Sequence, residues 1–303
     1  MEPIIDELHT LGDFIRWGAS QFEKAELFFG HGTDNSIDEA IVLVSHILHL
    51  PSEVPDILWH SRVIKSEKQE ILKLFERRIQ ERIPAAYLTY EAWFADIRFY
   101  VDQRVLIPRS PIAELIGQFE AFIKVKRMER MLDLCTGSGC IAIACAMLAF
   151  PHAIIDAVDL SNDALDVAQK NIKHYGLEQR VHAFHSDLFS ALAGKKYDLI
   201  LCNPPYVDAQ ELRNMPAEYH HEPKIGLEAG TDGLFFVKKI LRQAAEHLTD
   251  KGTLIAEVGV SQTSLIEEYP TVPFLWLDFQ QGGTGVFLLT AEQLRNYASE
   301  SIT

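Results

Sequence analysis

The run Met131-Leu132-Asp133-Leu134, the turn Cys135-Thr136-Gly137-Ser138-Gly139 and the run Cys140-Ile141-Ala142-Ile143-Ala144 restrict the fold of this chain more than any other stretch. They read as strand, Gly-rich turn and helix in immediate succession. Gly137 and Gly139 permit a tight turn and close approach of backbone to a ligand. Such a turn at the carboxyl end of a parallel strand is where open α/β sheets receive nucleotide-like ligands. Ala142 stands where a dinucleotide fingerprint has its third Gly, and the Lys-Ser/Thr of a triphosphate loop is absent, so neither ligand is the first choice. From Ile112 onward strands and helices alternate, which predicts a parallel sheet covered on both faces. Later pieces are a helix near Leu234–Leu248, a strand Thr253–Val258, a helix near Gln262–Glu268, and strands near Leu275–Phe279 and Gly285–Leu289. The last two strands are joined through Gln281-Gly282-Gly283-Thr284, which predicts a hairpin and one antiparallel strand.

Two acids follow the next two strands. Ile154–Leu160 is a strand whose terminal Asp159 lies twenty residues beyond Gly139, suited to a bidentate grip on ribose hydroxyls. Asp156, in mid-strand, reads as structural or exposed. Val181–Phe189 holds a third strand ending in Asp187, which could accept from an exocyclic adenine amine with Leu188 against the ring. Either acid alone is commonly a helix cap or turn former; their order after successive strands is more specific. A further apolar run then stops at Asn203-Pro204-Pro205-Tyr206. Two prolines have no N–H and fix φ, so the sheet ends there with a rigid backbone and outward carbonyls. Asn203 adds a side-chain acceptor and Tyr206 an aromatic lid. Such a cluster suits an NH2 group held still for attack from the other side, although many Asn-Pro pairs are only turns.

Together these segments resemble the S-adenosylmethionine-dependent methyltransferases that modify planar or amide nitrogens, and more closely the protein N(5)-glutamine methyltransferases. Within that family the chain is similar to the subgroup that methylates a glutamine of large-subunit ribosomal protein L-three. Gly30-His31-Gly32-Thr33-Asp34-Asn35, Arg82–Leu88, Phe99–Asp102, Leu106-Ile107-Pro108-Arg109-Ser110-Pro111 and His221-Glu222-Pro223 carry the likeness over nearly the whole chain. Cys135 stands where the wider family has Gly, so its side chain must point away from the cofactor. The resemblance implies a Rossmann-like α/β methyltransferase with a mostly parallel seven-stranded sheet, preceded by a small N-terminal helical domain and a β-hairpin linker. It implies cofactor contacts from Asp133, Cys135, Thr136, Gly137, Ser138, Gly139, Asp159, Asp187, Leu188 and Asn203. Amide substrate would meet Asn203, Pro204, Pro205 and Tyr206, of which Asn203, Pro204 and Tyr206 would serve catalysis. The product would be S-adenosylhomocysteine, with no metal required.

The divisions expected are residues 1–85 as a helical substrate-recognition domain, 86–111 as a hairpin linker and 112–303 as the methyltransferase domain. Leu8, Leu11, Phe14, Ile15 and Phe22 recur near helical spacing. Ser36 with Glu39 reads as a capping box for a helix ended by Pro51, and Ser66 with Gln69 as another reaching toward Ile83. Trp93–Val101 reads as the hairpin.

Among the 303 residues, 48% are hydrophobic and 23% charged, enough for a sizeable core. No run of about eighteen apolar residues predicts a membrane span, and Met1–Asp6 has no signal-peptide pattern. The four cysteines do not have zinc spacing and fit a reducing cytoplasm. A net charge of −15 disfavours nucleic acid and favours a basic protein such as a ribosomal protein. His220 and His221 beside Glu222 would face opposite ways on a strand and lack a third ligand at metal spacing; His31 either caps a loop or touches substrate, the structural role being favoured; Arg109 anchors either the linker or a carboxylate. A release-factor glutamine methyltransferase, an adenine amino-methyltransferase and a cofactor-binding assembly factor without catalysis remain as alternatives.

Overall fold

The structure, a computed structural model, describes residues 2–51, 53–119, 123, 128–280 and 282–300. Two compact units divide the chain. One is Met1–Ala92 with Pro216–His221, the other Trp93–Met215 with Glu222–Thr303. The return of Pro216–His221 to the first unit is a feature that a division of the sequence at single boundaries does not contain.

In the first unit the principal helices are Leu11–Lys24, Ser36–Leu48 and Lys65–Glu81. Phe14, Phe22, Leu43, Ile71 and Phe75 are buried on their inner faces. Both capping boxes read from the sequence lie further along than the observed caps, the first by one residue and the second by two. Asn35, not Ser36, is the cap of its helix: Asn35 Oδ1 accepts from the Ile37 and Asp38 N–H groups at 3.0 and 2.9 Å. The later helix begins at Lys65, ahead of Ser66, and Glu67 accepts from the Ile64 N–H at 3.0 Å. Glu39 is thereby freed for another task. It is buried and takes the Arg78 Nε at 2.6 Å, while Arg78 Nη1 reaches Glu218 at 3.1 Å and Nη2 donates to the Phe28 carbonyl at 2.9 Å. Breaking such a buried pair from one side costs about 3–5 kcal/mol, because a charge is stranded. Burial raises the Glu218 pKa, but hydrogen bonds and the Arg78 charge more than offset this and hold it below the usual range.

Strands Glu91–Phe94 (β1) and Ile97–Tyr100 (β2) form a two-stranded sheet. The large sheet comprises Arg130–Leu134 (β3), Ile154–Asp159 (β4), Val181–His185 (β5), Tyr197–Cys202 (β6), Leu248–Glu257 (β7), Leu275–Trp276 (β8) and Val286–Thr290 (β9). Its order is β5-β4-β3-β6-β7-β9-β8. β3 to β7 are mutually parallel, and β9 is antiparallel to both β7 and β8. The sheet is thus the mostly parallel, seven-stranded Rossmann-like sheet expected, with β8 shorter than the run Leu275–Phe279. Of the connection to β9, Gln281 lies outside the described residues. Apolar clusters bury both faces: Met131, Ile155, Leu199 and Ile255 on one side, Leu132, Val158, Ile200 and Leu254 on the other. Alternate residues of each strand therefore serve opposite layers, as a sheet covered by helices on both faces requires. The helix Ala291–Glu300, which the periodicity did not single out, packs against the helix Phe235–His247 and β7. No helix of the described residues is long and apolar enough to cross a membrane.

Candidate functional site

The carboxyl ends of β3, β4 and β6 lie side by side because Leu134 pairs with Val158 on one flank and with Cys202 on the other. The turn after β3 winds through left-handed backbone at Cys135 (φ 58°), Gly137 (φ 55°) and Gly139 (φ 80°). A non-glycine residue pays about 1–2 kcal/mol for that region, the physical reason a Gly is favoured at 135. A Cβ on Gly137 would meet nothing within 4 Å, whereas one on Gly139 would lie 3.3 Å from Ala168 Cβ. Gly137 therefore keeps open space beside it, and Gly139 admits the helix Asn162–His174.

Asp133 lies beneath this turn and is wholly buried. Its Oδ2 accepts from Thr136 Oγ1 at 2.6 Å and from the Ala142 N–H at 3.2 Å, tying both ends of the turn to β3. Burial outweighs these bonds and pushes the Asp133 pKa up to about 7. Oδ1 has no hydrogen-bond partner among the described residues. Asp159 closes the turn from β4: Oδ2 accepts from the Gly137 N–H and Oδ1 from the Ser161 N–H, both at 2.9 Å. Its pKa is also raised, by burial first, against the lowering effect of those N–H groups. Asn171, unnoticed in the sequence, clamps the far side by donating to the Ser138 and Tyr100 carbonyls at 2.9 and 3.0 Å.

A cleft opens over the turn. Cys135, Thr136, Gly137, Ser138, Asp159, Asn203 and Pro205 line it, as do Leu106, Arg109, Leu160, Ala164, Ile225 and Phe236. Of the other residues singled out in the sequence, Asp133 and Gly139 lie beneath or behind the turn, and Pro204 and Tyr206 lie outside the lining. Asp187 is exposed, and Leu188 is buried in the sheet's second apolar layer with φ 48°. The structure does not bring Asp187 and Leu188 into the cleft lining.

After β6, Asn203 is half-buried and the two prolines are buried. Neither the Asn203 side-chain amide nor the Pro204 carbonyl makes a hydrogen bond within the described residues. Tyr206, by contrast, is firmly held. Its hydroxyl donates to Glu257 Oε1 at 3.0 Å, and its carbonyl accepts from Ser261 Oγ at 3.0 Å. Glu257 ends β7 and is buried, which raises its pKa even though Ser110 and Tyr206 donate to it.

Arg109 grips a carboxylate: Nη1 and Nη2 meet the two oxygens of buried Glu222 at 2.6 and 2.8 Å. His220 and His221 lie in the 3₁₀ turn Ala217–His221, not in a strand; His221 Nε2 is 2.8 Å from the Glu81 carbonyl. His31 is buried against the Tyr219 ring, 4.5 Å between centroids. No group of three His, Cys, Asp or Glu side chains among the described residues could hold a metal ion.

The family model of the Methyltransferase small domain matches residues 118–219, which span the turn, both acids and Asn203–Tyr206. A ribosomal protein uL3 glutamine methyltransferase of Xanthomonas campestris pv. campestris is 50% identical over 295 residues, 95% of this chain and 94% of the relative. The protein of the same name from Francisella tularensis subsp. tularensis is 47% identical over 298 residues, 98% of this chain and 95% of the relative. Among solved structures, the delta-N METTL16 MTase domain has a TM-score of 0.47 and 23% identity, over 63% of this chain and 86% of that one.

Proposed function

This chain belongs to the family of ribosomal protein uL3 glutamine methyltransferases, and from that premise we propose that it moves a methyl group from S-adenosylmethionine to the side-chain amide nitrogen of a glutamine in uL3. Asn203 and its proline turn carry this assignment: Asn203 lines the cleft beside the Gly-rich turn, and its side-chain carbonyl and the adjoining Pro204 carbonyl are uncommitted among the described residues. The cleft suits the cofactor by its own chemistry. Open space beside Gly137 admits close backbone approach, the Asp159 carboxylate suits vicinal hydroxyls, and Leu160 and Ala164 offer apolar surface to a base. Asp133 acts beneath, holding the turn in shape.

When bound, the cofactor supplies a methyl group activated by a sulfonium. An amide nitrogen is a weak nucleophile because its lone pair is shared with the carbonyl. Asn203 Oδ1 and the Pro204 carbonyl accept its two hydrogens and fix its orientation. As the N–C bond forms and the C–S bond breaks, positive charge grows on nitrogen and those acceptors bind its hydrogens more strongly. Tyr206 covers the amide plane, and one amide proton leaves to solvent.

The helical unit, which contains none of the cofactor-type motifs, is assigned recognition of uL3. Ribosomal proteins are typically basic, and a chain of net charge −15 attracts them, in keeping with action in the cytoplasm. The test offers uL3, a release factor and nucleic acid separately with cofactor labelled in its methyl group. Label on uL3 is expected; label confined to release factor or nucleic acid would overturn the assignment.

A further inference from the structure

We infer that Glu257 is the positioning residue for Tyr206, and that Pro108-Arg109-Ser110-Pro111 is the strut that holds Glu257 in place. This rests on assigning the Asn203–Tyr206 turn to the amide substrate. β6 and β7 are parallel with Cys202 opposite Ala256, so the next residue on each strand is Asn203 on one and Glu257 on the other. Glu257 therefore stands level with the acceptor turn.

Two hydroxyls converge on its buried carboxylate. Tyr206 donates to Oε1 at 3.0 Å and Ser110 donates to Oε2 at 2.5 Å. Each hydroxyl meets a different carboxylate oxygen, so the two donors are held in separate, fixed directions. Tyr206 is pinned at two further points. A Cβ on Gly259 would lie 2.5 Å from Tyr206 Cε2, so the ring rests directly on that glycine. Its carbonyl is held by Ser261 Oγ, beside Gly233, where a Cβ would lie 2.5 Å from the same carbonyl. Hydroxyl, ring face and carbonyl are thus each constrained, leaving the ring one plane.

The strut is rigid for reasons of its own. Prolines close both ends of Arg109-Ser110. Arg109 is anchored bidentately on Glu222, which also accepts from the Ile107 N–H at 3.1 Å. Pro111 meets Gly283, where a Cβ would come within 2.9 Å of the ring. Ser110 reaches Glu257 from this fixed base. The sequence motif Pro-Arg-Ser-Pro thereby acquires a function: its side chains seat two buried carboxylates, and one of these orients the aromatic lid.

A double-mutant cycle with Glu257→Gln and Tyr206→Phe tests this. At saturating cofactor, each single variant should lose roughly ten- to a hundredfold in kcat. Cofactor affinity should stay within about twofold, and the double variant should be no worse than the poorer single one. The positioning role is overturned if Glu257→Gln turns over within about threefold of the parent, if the losses multiply, or if cofactor affinity falls in step. Should Glu257→Gln fail to melt cooperatively, Ser110→Ala replaces it in the cycle under the same criteria. Asn203→Ala, measured alongside, separates the two claims. If it loses turnover and Glu257→Gln does not, only the positioning role fails; if it keeps turnover, the assignment of the turn fails as well.

Discussion

The turns after β3 and β6 leave adjacent strands of one sheet, yet they are built from opposite materials. The first runs through Cys135, Gly137 and Gly139 in left-handed backbone, and its Gly137 N–H is fastened to Asp159. The second is Asn203-Pro204-Pro205, in which two consecutive residues have no N–H at all. One turn bends tightly and keeps open space beside a glycine for a ligand. The other cannot donate from its prolines and presents carbonyls. The contrast teaches how neighbouring strand ends would divide the proposed transfer: the glycine turn to shape the seat of the group that gives, and the proline turn to grip the group that receives. If that division holds, damage to one turn should alter affinity for cofactor, and damage to the other should alter turnover.

The largest effect is expected at the proline turn. Asn203→Ala should slow turnover by about 10²–10³-fold, or 2.7–4 kcal/mol, by analogy with the loss of one preorganised oxyanion-hole donor. Calorimetry should find cofactor affinity far less affected than turnover. Turnover near the parent's would erase the distinction between the turns.

At the glycine turn the effect should fall on affinity. Asp159→Ala removes a charged acceptor and should weaken cofactor binding by about 1.5–3 kcal/mol, read by calorimetry. Thermal stability should fall as well, because the Gly137 and Ser161 N–H groups lose their partner. Unchanged affinity would show that Asp159 serves only the turn.

Smaller still is the cost of conformation. Gly137→Ala meets no atom but must hold φ 55°, so chemical denaturation should show a loss of about 1–2 kcal/mol. A neutral result would mean that the turn relaxes and that its left-handed backbone is not required.

The last effect is a slope rather than an offset. Asp133 has its folded pKa raised to about 7 from an ordinary 3.8. The fold therefore binds this proton more tightly than the unfolded chain does. Its contribution to stability is complete below the lower value and is lost as pH rises through the higher one. Melting temperatures should decline across that window, and Asp133→Asn should flatten the decline. Asp159 and Glu257, also raised by burial, should leave part of it in place. An undiminished slope in Asp133→Asn would place the proton elsewhere.

Much of this contrast is legible in the chain because each turn is local. Gly-x-Gly after an apolar run and Asn-Pro-Pro-Tyr after another each fix their own backbone, and the acid ending β4 announces itself by position. The sheet follows from alternation of strand and helix, including the antiparallel β9. What the sequence hides is set by distant partners. Glu257 is one acid ending an apolar strand, and its partners Ser110 and Tyr206 lie 147 and 51 residues away. Asn35 and Ser36 are both cap formers with acids three residues on, so only tertiary demand decides. Glu39 is drawn inward by Arg78, and the cap falls to Asn35. Arg78 in turn needs Glu218, 140 residues along, which no local pattern discloses.

The central claim is that the proline turn presents an NH2 group for methylation, and the atom that receives the methyl decides it. The proposed substrate uL3 can be prepared with ¹⁵N only in its glutamine side-chain amides, treated with this protein and ¹³C-methyl cofactor, and examined by NMR. The account expects the new methyl signal to show coupling to the labelled nitrogen. A transferred methyl with no such coupling, on oxygen, sulfur or any other nitrogen, would contradict it.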